Sequence, residues 1–256
     1  MIIEYHRPKS ISEALTLLAR EHPVSYPLGG GTFLNRGFET QFAVVDLQEL
    51  GIGGIKIAGN QAQVGATCKL QEIIDFKGFP DDLYAAIQLE ATYNLRQMAS
   101  IAGTLVTATG RSPFATVMLA VDASLELQEQ DFKPVQSKLG DWLPLRSQAK
   151  PGKLITKITI PIHLKLAFET IARSPADQPI VCAAVAQWNS GRTRLALGGW
   201  GVAPILAMDG PAPAGIEIGA RNAYSHAEDE WASAEYRQEI AGVLAIRALQ
   251  RININP

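Results

Sequence analysis

The residues best suited to hold a ligand are three consecutive glycines and a threonine, set within Leu28-Gly29-Gly30-Gly31-Thr32-Phe33-Leu34. Without Cβ atoms the glycines let backbone N–H groups come close to an anion, and the threonine adds a hydroxyl donor. A phosphate suits such a cradle; taken alone, the triplet also reads as a tight turn. The pattern is not Gly-x-Gly-x-x-Gly and does not end in Lys-Ser/Thr, so it fits neither a Rossmann dinucleotide site nor a P-loop. A second segment, Ala99-Ser100-Ile101-Ala102-Gly103-Thr104-Leu105-Val106-Thr107, mixes small side chains with hydroxyls and a glycine. That composition suits a loop lying against a ligand, or a well-packed turn.

Other chemistry is thinly represented. His6, His22, His163 and His226 have no recognisable partner in the sequence, and no nucleophile–base pair stands out. They read as surface or structural residues. Cys68 and Cys182 stand alone, without Cys-x-x-Cys or a histidine at ligand spacing, so an iron–sulfur or zinc site is not expected on this chain. With a net charge of −2 and 19% charged residues there is no basic field to gather nucleic acid or an anionic membrane. No apolar run approaches the roughly 20 residues of a membrane span, and Met1-Ile2-Ile3-Glu4-Tyr5-His6-Arg7-Pro8 lacks the pattern of a signal peptide. A soluble cytoplasmic protein is the expectation.

The elements that would position these segments can be sketched. A strand over Ile2 to Tyr5 leads to a helix whose start is written by Ser10 and Glu13 as a capping box, with Ala14, Leu15, Leu17 and Leu18 as its apolar face. Tyr26 to Leu28 and Ala43 to Leu47 read as strands on either side of the glycine loop. Ile55 to Ala58 and Gln61 to Gly65 form a hairpin turned by Gly59-Asn60. Helices follow from Thr67 or Lys69 to Asp75 and from Asp81 to Ala91, then the Ala99–Thr104 loop. Ser112 before Pro113 marks an N-cap opening a helix through Val121. Strands are expected near Leu125 to Gln128, Leu154 to Ile160, Leu166 to Ala172, Val181 to Trp188 and Arg194 to Leu197. Helical sequence from Ser225, and again through Tyr236 to Leu249, closes the chain. Irregular alternation and hairpin turns favour an α+β fold over a doubly wound parallel sheet. The segments are 1–55, 56–161 and 162–256.

The two loops together resemble those of the FAD-binding (medium) subunits of molybdenum hydroxylases, the carbon monoxide dehydrogenase and xanthine dehydrogenase type. That family carries Ala-Gly-Gly-Gly-Thr-Asp-Leu and, some seventy residues later, Ala-Thr-Ile-Gly-Gly-Asn-Leu; the counterparts here are Leu28 to Leu34 and Ala99 to Leu105. The likeness extends to Pro8-Lys9-Ser10-Ile11-Ser12-Glu13-Ala14, Val64-Gly65-Ala66-Thr67 and Met118-Leu119-Ala120-Val121-Asp122-Ala123. It continues through Arg173-Ser174-Pro175-Ala176-Asp177, Ala196-Leu197-Gly198-Gly199 and Ser233-Ala234-Glu235-Tyr236-Arg237.

The resemblance implies the fold of the PCMH / CO dehydrogenase flavoprotein type: two α+β subdomains gripping FAD, plus a C-terminal α+β domain. It implies that Gly29, Gly30, Gly31 and Thr32 meet the pyrophosphate, with Leu28, Phe33 and Leu34 beside it. Ala99, Ser100, Gly103, Thr104 and Thr107 line the second loop, and Ser112 offers a hydroxyl. Leu154 and Ile155 supply an apolar wall against the flavin ring. The implied role is an oxidoreductase subunit without catalytic residues or metal ligands of its own. Electrons would pass to FAD from iron–sulfur (2Fe-2S) clusters on a small subunit, fed by molybdopterin on a large subunit. The sequence departs from the family at Ala102 and Thr104, where it has Gly and Asn, at Pro113, where an acidic residue is usual, and at Glu169, in place of a lysine. A flavin-free structural or assembly subunit of the same fold is the alternative.

Overall fold

The structure, a computed structural model, describes residues 1–35, 40–130, 133–148 and 151–254. In chain order the elements begin β1 (Ile2–His6), α1 (Ile11–Leu18), β2 (Ser25–Leu28), β3 (Phe42–Asp46), β4 (Ile55–Ala58) and β5 (Gln61–Gly65). Next come α2 (Leu70–Asp75), α3 (Asp81–Glu90), α4 (Tyr93–Arg96), α5 (Ile101–Thr107), α6 (Pro113–Ala120), β6 (Ser124–Glu129) and β7 (Val135–Lys138). After α7 (Leu139–Trp142) and a 3-10 turn over Leu143–Gln148, the chain continues with β8 (Lys153–Pro161), β9 (Lys165–Ile171), β10 (Val181–Gln187), β11 (Thr193–Gly198), β12 (Ile205–Gly210), α8 (Ile216–Ala223) and α9 (Ala234–Ile254). The chain divides into two compact units. One gathers Met1–Phe76, Tyr93–Thr107 and Ser124–Thr159; the other gathers Lys77–Thr92, Ala108–Ala123 and Ile160–Pro256.

The first unit holds two sheets. In the smaller, β3 lies between β1 and β2 and all three run parallel. The central place of β3 follows from its sequence, since Phe42-Ala43-Val44-Val45-Asp46 is buried at every position, as a strand covered on both faces must be. Helix α1 starts as its sequence dictates, with the Ser10 hydroxyl accepting from the Glu13 amide at 3.2 Å. The Glu13 carboxylate reaches back to the amide of Lys9 at 3.1 Å, one residue beyond the usual capping-box partner. Ala14, Leu15 and Leu18 pack with Val45, Leu47 and Leu154 into one apolar cluster. The larger sheet has the order β4-β5-β8-β6-β7, and its first pair is the expected hairpin about Gly59, whose φ is +58°.

Asp46 ends β3 and is almost fully buried. Its carboxylate accepts from the Tyr5 hydroxyl, from Arg7 Nε at 2.9 Å and Nη2 at 2.7 Å, and from the Gln48 amide at 3.0 Å. Burial works against its charge, yet the bonds from Tyr5, Gln48 and Arg7 hold the carboxyl below the usual carboxylate range. This anchor fixes the turn that carries Gln48 away from the strand.

The second unit is built on an antiparallel sheet, β12-β11-β10-β9. Strand β10 reads Val-Cys-Ala-Ala-Val-Ala-Gln and is buried from Val181 to Ala186, because helices cover both faces. Val181, Ala183 and Val185 face the cluster that includes Ala241, Leu244 and Ala245 of α9. The alternate residue Cys182 meets α6 instead, its Sγ 3.6 Å from the Thr116 hydroxyl. Small side chains on β10 let α6 approach, and a Cβ at Gly198 on the neighbouring β11 would overlap the Thr116 hydroxyl. Helices α3 and α6, although they come from the middle of the chain, thus belong to the unit with the third sheet.

The structure corrects several expectations. Residues 101–107 are a helix rather than a loop. The Thr104 and Thr107 hydroxyls donate to the carbonyls of Ser100 and Gly103, four residues back in each case, so these side chains are satisfied within the helix. No helix starts at Ser225: α8 ends at Ala223 and α9 begins at Ala234. Strands β7 and β12 and helices α4, α7 and α8 are additional to the elements expected from the sequence.

Candidate functional site

The glycine loop follows directly on β2, and the turn through Gln48 follows on β3. Because these strands are parallel, both segments leave at the carboxyl edge of the small sheet, where open parallel sheets carry their ligands. The Leu47 amide ties the two turns together by donating to the Leu28 carbonyl at 3.1 Å.

The loop lies close on the segment Met98–Ser100. A Cβ added to Gly29 would collide with the Ser100 hydroxyl, and one added to Gly30 would overlap the main-chain carbonyl of Met98. Gly31 has φ +73°, a left-handed conformation that side chains disfavour. The first two glycines therefore permit one loop to pack on the other, and the third permits the turn. Met98–Ser100 is itself held from below: the Leu70 amide donates to the Ala99 carbonyl at 3.0 Å, and the Ile101 amide to the Cys68 carbonyl at 2.9 Å.

Among the described residues, the amides of Gly30, Gly31 and Thr32 donate to no group of the chain. Three successive free donors about a left-handed glycine are the makings of an anion nest, the backbone device that binds phosphate. The Gly29 carbonyl is held by two donors, Lys69 Nζ at 2.8 Å and Gln48 Nε2 at 2.8 Å. Neither Lys69 nor Gln48 carries a sequence signal that points to this loop. Lys69 lies 40 positions away, and only the fold brings it there.

The structure brings Leu28–Leu34 together with Ala99 and Ser100. Leu28, Thr32 and Leu34 are half-buried, Phe33 is exposed, and Asn35 closes the turn by donating to the Gly31 carbonyl at 3.2 Å. Ala99 and Ser100 are buried, and the Ser100 hydroxyl accepts from the Gly103 amide at 3.3 Å. Gly103, Thr104 and Thr107 stand on α5. Leu154 and Ile155 are buried on β8, Leu154 in the cluster with α1.

Ser112, in the second unit, is the N-cap of α6. Its hydroxyl accepts from the Ala115 amide at 3.0 Å and donates to Glu90 Oε2 at 2.6 Å, which also accepts from the Phe114 amide at 3.1 Å. Position 113 is a proline, and the carboxylate at this helix start comes from Glu90 on α3. Burial pushes the Glu90 carboxyl above the usual range despite those two bonds. Glu169 on β9 is paired with Arg251 at 2.9 Å.

Residues 1–163 match the family described as FAD binding domain in molybdopterin dehydrogenase, more than half of the chain. The chain is 28% identical to the carbon monoxide dehydrogenase medium chain of Afipia carboxidovorans, over 97% of this chain and 96% of that one. It is 26% identical to the protein YgfM of Escherichia coli K12, covering 95% and 94% of the two chains. Among solved structures, reconstituted CO dehydrogenase from Oligotropha carboxidovorans superposes with a TM-score of 0.85 at 25% identity, covering 99% of this chain and 98% of that one. Quinoline 2-oxidoreductase from Pseudomonas putida 86 shares the fold, with a TM-score of 0.77 at 19% identity and coverage of 98% and 96%.

Proposed function

The chain belongs to the FAD-binding domain family of molybdopterin dehydrogenases, and from that membership we propose that it is the flavin subunit of a multi-subunit molybdenum hydroxylase. The observation that carries the reading is the nest of three free amides, Gly30 to Thr32, set against Met98–Ser100. These groups fit the pyrophosphate of FAD: donors without competing partners, on a backbone that only glycine allows. Gly29, Gly30, Gly31 and Thr32 are assigned to the pyrophosphate, with Leu28, Phe33 and Leu34 beside it and Ala99, Ser100, Gly103, Thr104 and Thr107 along the second segment. Ser112 is not assigned to the ligand, since its buried hydroxyl is bonded to Glu90 and to the Ala115 amide within the second unit; Leu154 and Ile155 are proposed as the apolar wall of the flavin ring. The division at 55 and 161 is retained with them; one sheet falls to each segment, to within a residue.

When bound, FAD supplies the electron-transfer chemistry. The role of this chain is to hold it, to set its electrostatic surroundings and to present it to partners. Those partners are an iron–sulfur small subunit and a molybdopterin-binding large subunit, a proposal supported by the likeness to the carbon monoxide dehydrogenase medium chain. No helix among the described residues is long and apolar enough to cross a membrane, and a cytoplasmic setting is part of the proposal. The flavin-free alternative draws on Thr104, where the family has asparagine: its hydroxyl is already bonded to the Ser100 carbonyl at 2.9 Å.

Electron flow is tested in the assembled complex under anaerobic conditions. The visible flavin band should bleach when the reducing substrate of the complex is added, and should stay when the iron–sulfur subunit is omitted. Bleaching that is equally fast without that subunit would contradict the proposed route.

A further inference from the structure

Lys69 presents a charge that the protein itself leaves incompletely compensated. Its ammonium has three donors, and among the described residues it makes one hydrogen bond, to the Gly29 carbonyl. It is half-buried, and burial pushes it below the usual lysine range. The acidic groups that act on it are committed elsewhere. Asp46 is held by Arg7 and Tyr5, and Glu72 accepts from the Lys69 backbone amide at 2.5 Å. A partly desolvated cation bonded to a neutral carbonyl keeps a positive field that favours an anion nearby.

That cation is bonded to the carbonyl of the peptide whose N–H is the first of the three free amides. A trans peptide directs its C=O and the following N–H to opposite sides. Fixing the Gly29 carbonyl between Lys69 and Gln48 therefore turns the Gly30 amide away from them, into the nest. The glycine segment Leu28–Leu34 contains no charged side chain, so Lys69 brings a positive charge to a segment that has none of its own.

We propose that Lys69 is the cation of the pyrophosphate site: it orients the glycine loop through the Gly29 carbonyl and attracts the phosphate charge across that peptide. The proposal rests on the FAD reading above. Lys69 acts through the loop as a positioning residue as well as through its charge, and the two roles have separate readouts.

The test compares the wild-type chain with Lys69→Met and Lys69→Arg. FAD is titrated directly, and ADP, which has the pyrophosphate without the flavin ring, is titrated by competition, each at several salt concentrations. Loss of a charged hydrogen bond and of the charge should weaken both FAD and ADP about tenfold to a hundredfold in Lys69→Met. The affinity should also become less dependent on salt, since the attraction that salt screens has been removed. Lys69→Arg should recover most of the loss. If Lys69→Met melts too early to titrate, Lys69→Gln, which keeps an N–H donor without the charge, tests the same change in salt dependence. Wild-type affinity for both ligands in the Met variant would overturn the proposal, as would weakened FAD binding with ADP unaffected. A wild-type chain that binds neither ligand would instead overturn the FAD reading itself.

Discussion

Gly30→Ala is expected to leave the chain folded and to strip it of FAD. The added methyl group would overlap the main-chain carbonyl of Met98, which cannot rotate away as a flexible side chain could. The loop must lift, and the Gly30, Gly31 and Thr32 amides leave their common focus together. Each hydrogen bond from a backbone amide to a phosphate oxygen is worth about 1.5–3 kcal/mol, so losing the alignment of even one or two should weaken FAD on the order of a hundredfold or more. The apolar cluster around α1 does not include this loop, and the melting temperature of the flavin-free chain should fall by only a few degrees. A titration of the variant with FAD beside a thermal melt separates the two effects. Retained stoichiometric FAD in Gly30→Ala would remove the glycine loop from the site.

The largest loss of stability is expected at Arg237, whose guanidinium is fully buried. It donates to the carbonyls of Ile180 at 3.3 Å, Ala227 at 2.7 Å and Ala232 at 3.0 Å, and to Asp229 Oδ1 at 2.7 Å. These bonds tie α9 to the residues entering β10 and to the turn before α9 itself. Arg237→Met keeps much of the apolar stem but takes the guanidinium from the Ile180 and Ala227 carbonyls and removes the charge partner of Asp229, a change that costs about 3–5 kcal/mol and lowers the melting temperature by roughly 10 °C in a domain of this size. Lysine cannot replace it, since one ammonium cannot reproduce the planar fork.

The same network predicts a pH dependence. Burial opposes ionisation of Asp229, but the bonds from Arg237, Trp231 and Ala232 prevail and hold its carboxyl below the usual range. A depressed folded-state value means that this stabilisation is complete above the ordinary aspartate range and is lost as the pH falls through the folded value. Melting of the wild-type chain should therefore drop more steeply in acid than melting of Arg237→Met. Parallel acid profiles would show that the pair contributes nothing.

What could be read from the sequence was local. Ser10 and Glu13 mark the start of α1, Ser112-Pro113 that of α6, and Gly59-Asn60 the hairpin, because each signal acts within a few residues of itself. Helix α5 looks like a loop in the sequence because Gly103 and its flanking hydroxyls have the composition of loop chemistry. In the fold Ile101 and Leu105, four residues apart, are both buried and draw the segment into a helix. Strand β12 follows Pro204 and alternates only weakly, so its pairing with β11 decides its state.

The candidate site divides in the same way. The glycine triplet stands out in the chain, yet the reason for two of its glycines, the close approach of Met98 and Ser100, appears only when residues some seventy positions apart are brought together. Lys69 and Gln48 carry no signal because their role is to bond one distant carbonyl, and ordinary surface residues have the same side chains.

The most direct test of the central claim is an absorption spectrum of the purified chain, recorded before and after incubation with FAD and desalting. A flavin band retained in proportion to protein, and lost in Gly30→Ala, is the result expected of a FAD-binding subunit. A chain that stays colourless after reconstitution, alone and in complex with its partner subunits, would contradict the account and leave a structural subunit of the same fold.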